Sequence, residues 1–337
     1  MPGRLLLAEG TYSVFLARGC QILTLAIDGS TWDHVASIPR SGLRRLAEHS
    51  RPASRLLRHE LRSLLRLSDG TLVASSREGV FAGGAGGVLA ASRIDASDRE
   101  IMPPLRMCRG PGDTVVWGEY VGRRPTRIIR ILASVDGGAS FHVVHTFPMG
   151  SVFHVHNLLW DLARGHYWVF CGDHGDEPGI GMLSSDFARF EWFARGSQRY
   201  RLVTAFDFGD HLVYGTDTEL ERNRLVILDK ETAAFEEPIE FEGSCLHACR
   251  YGRYFTLSTT VEPSPVNKSP FADLWISEDG ARWQRILRAR KDPWPASYFQ
   301  FGSLVLPAGS TADDRIAVSG QAVSGLDGKT AFGTVEP

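Results

Sequence analysis

The protein has 337 residues, and its 37 lysines and arginines against 39 acidic residues give a formal net charge of -2 at pH 7. A balance this close to neutral argues against a dedicated nucleic-acid binder, which usually carries a basic surplus. The 43% hydrophobic and 23% charged residues are ordinary for a globular protein. No stretch approaches the roughly 20 apolar residues of a membrane span, and the run 5–8 is too short for a secretory signal. We therefore predict a cytoplasmic protein without a membrane span and without a nucleic-acid partner.

Short runs of β-branched and aromatic residues, separated by Gly, Asp and Pro turns, predict an all-β protein. In chain order they include 71–73, 115–117, 167–170, 212–214 and 254–257. Helical periodicity occurs only over 41–66, where we predict a short helix or covering loop within 41–60. The five cysteines are scattered and odd in number, which is not the pattern of a disulfide framework. We interpret the segment 244–249, with two of them, as a strand rather than a metal clip.

One turn pattern, an aspartate among small residues followed by an aromatic residue, recurs along the chain. It stands at Asp28–Trp32, Ser134–Phe141, Ser184–Phe190 and Ser277–Trp283, with a weaker echo at Ser324–Phe332. In such a turn the Asp accepts hydrogen bonds from backbone amides, Gly supplies a positive φ, and the aromatic ring is buried between sheets. The first four aspartates are 108, 50 and 93 residues apart, which are near multiples of about fifty residues, a period within the range of propeller blades.

These turns resemble the Asp-box (BNR) repeat, S-x-D-x-G-x-T-W, of sialidase-like β-propellers. The resemblance implies a single β-propeller domain over 1–337 with four-stranded antiparallel blades and degenerate Asp-box turns. We predict seven blades, with six as the alternative. Six of them would span 61–100, 104–148, 153–198, 201–243, 245–290 and 299–335, and the first forty residues would form the seventh. The strand over 1–9 would lie beside the C-terminal strands.

In a propeller, the starts of the inner strands and the loops after the second strands meet at a central funnel. Ionisable and polar residues concentrate at these positions, although solvated loop residues would give the same pattern. At the strand starts they are Arg58, His59, His154, His156, Arg201, His247 and Gln300, and in the loops they are Arg77, Glu119, Tyr120, Asp173, His174 and Asp217.

His154 and His156 are two residues apart on a predicted strand, so their side chains point to the same face. With His174 from the adjacent loop they are candidate ligands of a divalent metal. The pair fits equally a general base and the group that orients it, or one functional and one structural histidine. We therefore predict no certain cofactor, with a divalent metal as the candidate.

Arginines suit carboxylates, and aromatic residues beside them suit the faces of sugar rings. The set of His, Tyr and Arg is similar to that of propeller polysaccharide lyases, which implies β-elimination from an acidic sugar. We predict an enzyme that cleaves an acidic oligo- or polysaccharide, as a polysaccharide lyase or a glycoside hydrolase. The alternatives are a non-catalytic glycan-binding or scaffold propeller and a role in sugar transfer or polysaccharide assembly. The candidate catalytic residues are His154, His156, Tyr120, Glu119, His59 and Asp173, and the candidate substrate-binding residues are Arg58, Arg77, Arg201, Asp217, His247 and Gln300.

Overall fold

The structure is a computed structural model that describes residues 3–25, 31–39, 42, 50–58, 60–95, 101–122 and 128–335. The chain forms two compact units. The first unit comprises Met1–Leu61, Asp217–Leu225 and Glu237–Pro337, and the second comprises Arg62–Thr216 and Val226–Glu236. Strands dominate both, as the sequence predicts. In the described part of the chain, no helix is long and apolar enough to cross a membrane.

The strands are short and follow one another closely. In the first half of the chain they are β1 (Arg4–Glu9), β2 (Ser13–Arg18), β3 (Gln21–Leu25), β4 (Trp32–Ser37), β5 (Ser63–Arg66), β6 (Leu72–Ser76), β7 (Gly79–Gly83), β8 (Ala90–Ala91), β9 (Arg93–Asp95), β10 (Cys108–Arg109), β11 (Val115–Gly118), β12 (Arg130–Ser134), β13 (Ser140–Thr146), β14 (Val155–Asp161) and β15 (His166–Cys171). In the second half they are β16 (Gly179–Ser184), β17 (Phe190–Arg195), β18 (Phe206–Asp207), β19 (His211–Gly215), β20 (Asn223–Asp229), β21 (Phe235–Phe241), β22 (Ser244–Tyr251), β23 (Tyr254–Val261), β24 (Phe271–Ser277), β25 (Gln284–Arg290), β26 (Gly302–Val305), β27 (Ala308–Thr311), β28 (Ile316–Gln321) and β29 (Thr330–Gly333).

Among the described residues, the helices with defined bounds are few and short. They are α1 (Arg51–Leu57) and α2 (Ala296–Phe299), with single 3₁₀ turns at Pro111–Asp113 and Gln198–Tyr200. α1 lies inside the segment predicted as a helix or loop. Its N-cap Ser50 accepts a hydrogen bond from the Ala53 backbone N–H, and a proline stands in its first turn, where no backbone donor is needed.

The second unit contains sheets in the orders β5-β6-β7-β8, β10-β11-β12-β13-β9 and β14-β15-β16-β17, and a further sheet has the order β18-β19-β20-β21. These sheets follow the predicted intervals 61–100, 104–148, 153–198 and 201–243. One strand departs from them, because β9 pairs in parallel with β13 of the following sheet. The predicted grouping by interval therefore holds for every strand of these sheets except β9.

The sheet of the first unit has one continuous hydrogen-bonded path, β29-β28-β26-β23-β22-β27-β1-β2-β3-β4, and β24 and β25 branch from it at β23. β27 pairs in parallel with both β1 and β22. The pairing of Leu7 with Ala308 places the N-terminal strand beside C-terminal chain, as predicted. Because the path is continuous, it does not divide into separate blades, and the number of blades stays a prediction, as does a single domain over 1–337.

The recurrent aspartate turns share the predicted local chemistry. Asp136 accepts hydrogen bonds from the Ser134 hydroxyl and the Ser140 backbone N–H at 2.7 and 2.9 Å. Asp186 and Asp279 likewise accept from a serine two residues earlier and from following backbone amides. Asp28 lies outside the described residues. These contacts are local, which is why the turns could be found from spacing alone.

Large aromatic side chains fill the interior. Those with the least exposure are Trp117, Trp168, Tyr167, Tyr214, Tyr251, Phe141, Phe147 and Phe170. The Trp117 and Phe141 rings meet edge to face with centroids 5.6 Å apart, so the aromatic residue that ends the turn at Asp136 is buried, as the turn pattern predicts. The five cysteines are buried as free thiols, and the segment with Cys245 and Cys249 is the strand β22, also as predicted.

Candidate metal centre

Three functional side chains come together at one end of the β14–β15 hairpin. His154 directly precedes β14, His156 lies in it, and Asp173 follows β15 two residues after its end. Val155 pairs with Cys171 in the antiparallel register, and the register shifts at the next residue. Because the two strands are adjacent and antiparallel, the start of one and the end of the other lie side by side.

A glycine allows the loop after β15 to place Asp173 there. Gly172 has φ +85°, and a Cβ atom on it would lie 2.2 Å from the backbone carbon of Glu177. Its N–H donates to the His154 carbonyl oxygen at 3.1 Å. Any other residue would be strained in this conformation and would also collide with the returning loop. The sharp turn at Gly172 therefore fixes Asp173 beside the histidines.

Three potential ligand atoms converge in the site. The Nε2 atoms of His154 and His156 lie 2.8 Å apart, and each is 3.2 Å from Asp173 Oδ1. The three residues are 2%, 2% and 8% exposed. They are also a group whose geometry can hold a metal ion. The two-residue spacing of the histidines thus has the consequence expected from the sequence.

The hydrogen bonds on the far side of each imidazole determine its tautomer. Nδ1 of His154 lies 2.9 Å from the Val121 carbonyl oxygen, and Nδ1 of His156 lies 2.9 Å from that of Leu202. A carbonyl oxygen only accepts, so each Nδ1 must donate its proton. In neutral imidazoles both Nε2 atoms then present lone pairs to each other and to the Asp173 carboxylate. Three converging lone pairs repel one another unless a proton or a cation lies between them.

Burial of the site determines whether a proton or a metal ion is the better cation between the three ligand atoms. It lowers the pKa of His154, although Asp173 partly opposes that effect, so His154 is neutral at pH 7. For Asp173, burial alone would raise the pKa, but hydrogen bonds and positive charge from the two histidines lower it, an effect that needs a proton or another cation between the three atoms. Two imidazole nitrogens and a carboxylate oxygen are a donor set for a divalent metal.

The spacing of the donors also suits a metal. For metal–ligand bonds of about 2.1 Å, adjacent ligands of an octahedral ion lie about 3.0 Å apart. The observed separations of 2.8 and 3.2 Å bracket that value. The residues present therefore fit a divalent ion, and they could hold one with His154, His156 and Asp173 as ligands.

A second group of residues surrounds the centre. Nε of the buried Arg201 lies 3.2 Å from Asp173 Oδ1, and the Gln198 side-chain amide donates to the Asp173 carbonyl oxygen at 3.0 Å. The half-buried Tyr120 ring stacks on His154 with centroids 4.3 Å apart. The Arg62 guanidinium lies 6.0 Å from the Tyr120 ring centre, within cation–π range. Tyr120 and Arg201 thus lie beside the centre, and their catalytic and substrate-binding roles stay predictions.

Glu119 has a different setting from the one expected of a catalytic acid. It is fully buried, and its two carboxylate oxygens accept hydrogen bonds from the backbone N–H groups of Met102 and Arg130, both at 3.0 Å. Gly118 precedes it, and a Cβ there would lie 2.4 Å from Val155. This side chain ties three segments of backbone together, which is a structural task.

The remaining predicted site residues either do not belong to the cluster of His154, His156 and Asp173 or lie outside the described residues. His174 is half-buried beside Asp173, but the cluster contains Asp173 in its place. Arg77 is exposed in the turn between β6 and β7. The other described candidates belong to the first unit: Arg58, Asp217, His247 and Gln300. His59 lies outside the described residues.

Gln198, Arg62 and the carbonyls of Val121 and Leu202 were not expected from the sequence. Arg62 and Gln198 are polar residues beside predicted strands, but nothing in their neighbours marks them. The two carbonyl oxygens are backbone atoms 33 and 46 residues from the histidines that they orient. No side-chain pattern can reveal them.

No model of a protein family and no curated protein matches the chain. Solved structures do match. An oligogalacturonate lyase in complex with manganese has 10% identity and a TM-score of 0.58, over 98% of this chain and 88% of that one. A chain of a nidogen/laminin complex has 12% identity and a TM-score of 0.53, over 89% and 99%.

The extracellular domain of a one-component system from B. thetaiotaomicron has 9% identity and a TM-score of 0.58, over all of this chain and 41% of that one. These structures are β-propellers. At such identities the likeness shows the fold alone, and the neighbours include both an enzyme and non-enzymes. The four-stranded antiparallel sheets of this chain match those of β-propeller proteins.

Proposed function

We propose that the protein is a metal-dependent, carbohydrate-active enzyme that cleaves an acidic oligo- or polysaccharide by β-elimination. The observation that carries this proposal is the convergence of His154 Nε2, His156 Nε2 and Asp173 Oδ1, with both Nδ1 protons donated to carbonyl oxygens. Such a centre could hold a divalent cation. A buried arginine and a tyrosine beside it supply the other groups that the reaction needs.

The charge of the loaded centre favours an acidic substrate. The two imidazoles are neutral in this role, and Asp173 and Arg201 cancel each other at 3.2 Å. A divalent ion then leaves a net charge of +2 in a largely buried setting. Because opposite charges attract strongly where water is scarce, a substrate carboxylate is the preferred partner.

The chain's own residues divide the reaction between them. The bound ion would neutralise the uronate carboxylate and so make the proton on the neighbouring carbon more acidic. Tyr120, held against His154 by stacking, is the candidate base: its hydroxyl would first lose its proton to water, and the phenolate would then take the proton from the substrate carbon. The electron pair of the C–H bond then forms a carbon–carbon double bond while the bond to the leaving sugar oxygen breaks, and that oxygen takes a proton from water. Arg201 would stabilise the negative charge that develops on the substrate carboxylate when the proton is removed.

The comparison with solved structures supports this function without establishing it. One structural neighbour is an oligogalacturonate lyase solved with manganese, which makes Mn²⁺ the first ion to test. The shared feature is the fold, and no residue of that enzyme is carried over here.

A non-catalytic propeller is the second candidate, and the burial of the centre favours it. With His154 and His156 only 2% exposed, a metal there could brace the β14–β15 hairpin without meeting substrate. The nidogen chain among the neighbours is a propeller without an enzyme activity.

The test combines metal content with product analysis. Purified protein is stripped with a chelator, reloaded with Mn²⁺, and incubated with oligogalacturonate and with other uronate oligosaccharides. We expect one metal ion per chain and products whose unsaturated uronate end absorbs ultraviolet light. His154→Ala should lose both, whereas His142→Ala, at a histidine whose side chain is 57% exposed, should lose neither.

The outcomes separate the candidates. Metal binding without any product would support the structural role of the ion. Products heavier by one water molecule and without the double bond would indicate hydrolysis in place of elimination. Wild-type protein that binds no metal, or full activity of His154→Ala, would remove the centre from the function.

A further inference from the structure

The first unit contains a cavity of about 260 Å³ with several charged side chains in its lining. Its charged lining residues are Arg4, Arg18, Arg51 and Glu60, and Ser54 and Gln321 add polar groups. The volume is just below the 300 Å³ at which pockets for drug-sized ligands begin. A ligand the size of one sugar ring therefore suits it.

An alternating chain of ion pairs runs from this cavity into the unit. Each neighbour in the chain lies within 4.0 Å of the next, and the members in order are Arg4, Glu60, Arg51, Asp327, Arg55, Asp292 and Lys291. Among the described residues, four cations alternate with three anions, so this chain of ion pairs carries one surplus positive charge. Because both end residues are cations, the surplus positive charge lies on whichever of Arg4 and Lys291 is less well paired.

The two ends are not equally well paired. Lys291 lies 2.5 Å from Asp292 Oδ1 and also donates to the Trp294 carbonyl oxygen at 2.7 Å. Arg4 is 3.6 Å from Glu60, and Glu60 is already bound by Arg51 at 2.5 Å. The uncompensated charge therefore lies on Arg4, at the end that lines the cavity.

Arg4 also has an unused donor. Its Nη1 donates to the Gln321 side-chain oxygen, but its Nε is buried and has no hydrogen-bond partner among the described residues. A buried donor without a partner costs free energy, and a guanidinium presents its donors in a fork that matches a carboxylate. Burial lowers the pKa of Arg4, with Glu60 opposing, as expected for a cation that its surroundings compensate only in part.

Glu60 is held by partners other than Arg4, so it leaves Arg4 available to a bound carboxylate. Its Oε1 accepts from Arg51 at 2.5 Å and from Ser54 at 3.5 Å, and its Oε2 accepts from Gln300 at 3.5 Å. It acts as part of the wall that holds Arg4 in place. Arg18 also lines the cavity, but it is exposed, so solvent screens its charge and the largely buried Arg4 is the main partner for an anion.

We propose that this cavity binds a small molecule through a single carboxylate, which pairs with Arg4. One surplus charge matches a monoanion better than a dianion, so a carboxylate is preferred to a phosphate group. The inference does not depend on the proposed function, because it rests on residues of the first unit alone.

The test uses three probes with the same ring: glucuronate, glucose 6-phosphate and glucose. Each is titrated by calorimetry into the full-length protein in the presence of a chelator, which keeps metal from the centre of the second unit. We expect saturable binding of one glucuronate per chain, affinity for glucose 6-phosphate weaker by about tenfold, and no binding of glucose.

Variants then assign the binding to this cavity. Arg4→Gln removes the charge, and Ser54→Leu fills the space while leaving every charge in place. Each should weaken glucuronate binding by about tenfold or more. Arg282→Gln, at an arginine whose side chain is 92% exposed, should not change it. If Arg4→Gln fails to fold, as thermal unfolding would show, Ser54→Leu decides.

Three results would overturn the proposal. They are the absence of glucuronate binding at millimolar concentration, unchanged binding in Ser54→Leu, and tighter binding of glucose 6-phosphate than of glucuronate. Loss of elimination activity in His154→Ala with intact glucuronate binding would show that the two proposals stand or fall separately.

Discussion

Replacing Asp173 by asparagine tests the metal centre most directly, because the side chain keeps its shape while losing its charge. Three effects follow from the contacts of this residue. The Asn amide can donate a hydrogen bond to one of the Nε2 lone pairs of His154 and His156, which are each 3.2 Å away. The buried Arg201 loses its counter-ion at 3.2 Å. The metal loses its only anionic ligand.

The magnitudes decide the sign. The new hydrogen bond contributes about 1 kcal/mol, whereas a buried charge left without its partner costs about 3–5 kcal/mol. The metal-free variant should therefore be less stable than wild type by about 2–4 kcal/mol. If the 337 residues unfold together, the entropy of unfolding is about 0.7 kcal/mol/K, and this loss lowers Tm by about 3–6 °C.

Metal binding adds a second, separable difference. At a free metal concentration of about one hundred times Kd, binding stabilises the native state by about 2.7 kcal/mol. That corresponds to a rise in Tm of about 4 °C in the wild type and to no rise in Asp173→Asn. A double variant that also carries Arg201→Met should recover much of the metal-free stability, because it leaves no unpaired charge.

Thermal unfolding followed by circular dichroism, with chelator and with Mn²⁺, measures both differences. His142→Ala is the control and should show the wild-type rise with metal. A metal-induced rise that survives in Asp173→Asn would refute the assignment of Asp173 as a ligand. An unchanged Tm of the metal-free variant would refute the ion pair with Arg201.

Other perturbations test the structural roles. Glu119→Gln should lower the free energy of unfolding by about 1–3 kcal/mol, because one backbone N–H then faces an amide donor, and denaturant unfolding measures this loss. Activity per folded molecule should stay at the wild-type level. A loss of activity without a loss of stability would instead support a catalytic role for Glu119. Lys230→Met should cost about 3–5 kcal/mol, since Lys230 Nζ is buried 2.6 Å from both Asp161 and Asp207; a thermal midpoint equal to that of wild type would contradict the buried pairing. For Asp136, burial would raise the pKa, but hydrogen bonds from the turn outweigh it and lower the pKa from 3.8 to about 2. This carboxylate therefore stabilises the fold above pH 3.8 and ceases to do so as the pH falls towards 2. Asp136→Asn should lower the midpoint of urea unfolding relative to wild type at pH 7, and this difference should shrink towards pH 3. A difference between the two proteins that does not change with pH would contradict the lowered pKa of Asp136.

The alternatives for the function differ in what must reach the centre. An enzyme needs its substrate carboxylate to meet Asp173, Arg201 and Tyr120, whereas a scaffold needs only the bound ion. The enzyme hypothesis requires turnover by the Mn²⁺-loaded protein, and the scaffold hypothesis requires only that bound metal increases stability. The thermal and product measurements therefore decide between them without a ligand-bound structure. The cytoplasmic location stays a prediction.

Much of the fold was accessible from the sequence because its determinants are local. Strands such as β15 and β23 are marked by runs of β-branched and aromatic residues, and the turns at Asp136, Asp186 and Asp279 are closed by residues within five positions. The facing of His154 and His156 follows from the alternation of a strand. Each of these features depends on neighbours in the chain, so spacing is enough to find it.

The composition of the centre was decided only by tertiary structure. The choice of Asp173 over His174 depends on the backbone turn at Gly172, and the tautomers depend on carbonyl oxygens of Val121 and Leu202 from other segments. Glu119, a catalytic candidate by its position, proved to bond backbone amides that no pattern places near it. A sequence states which groups are present and how neighbours alternate, but lone pairs and backbone oxygens acquire a role only when distant segments are packed against them.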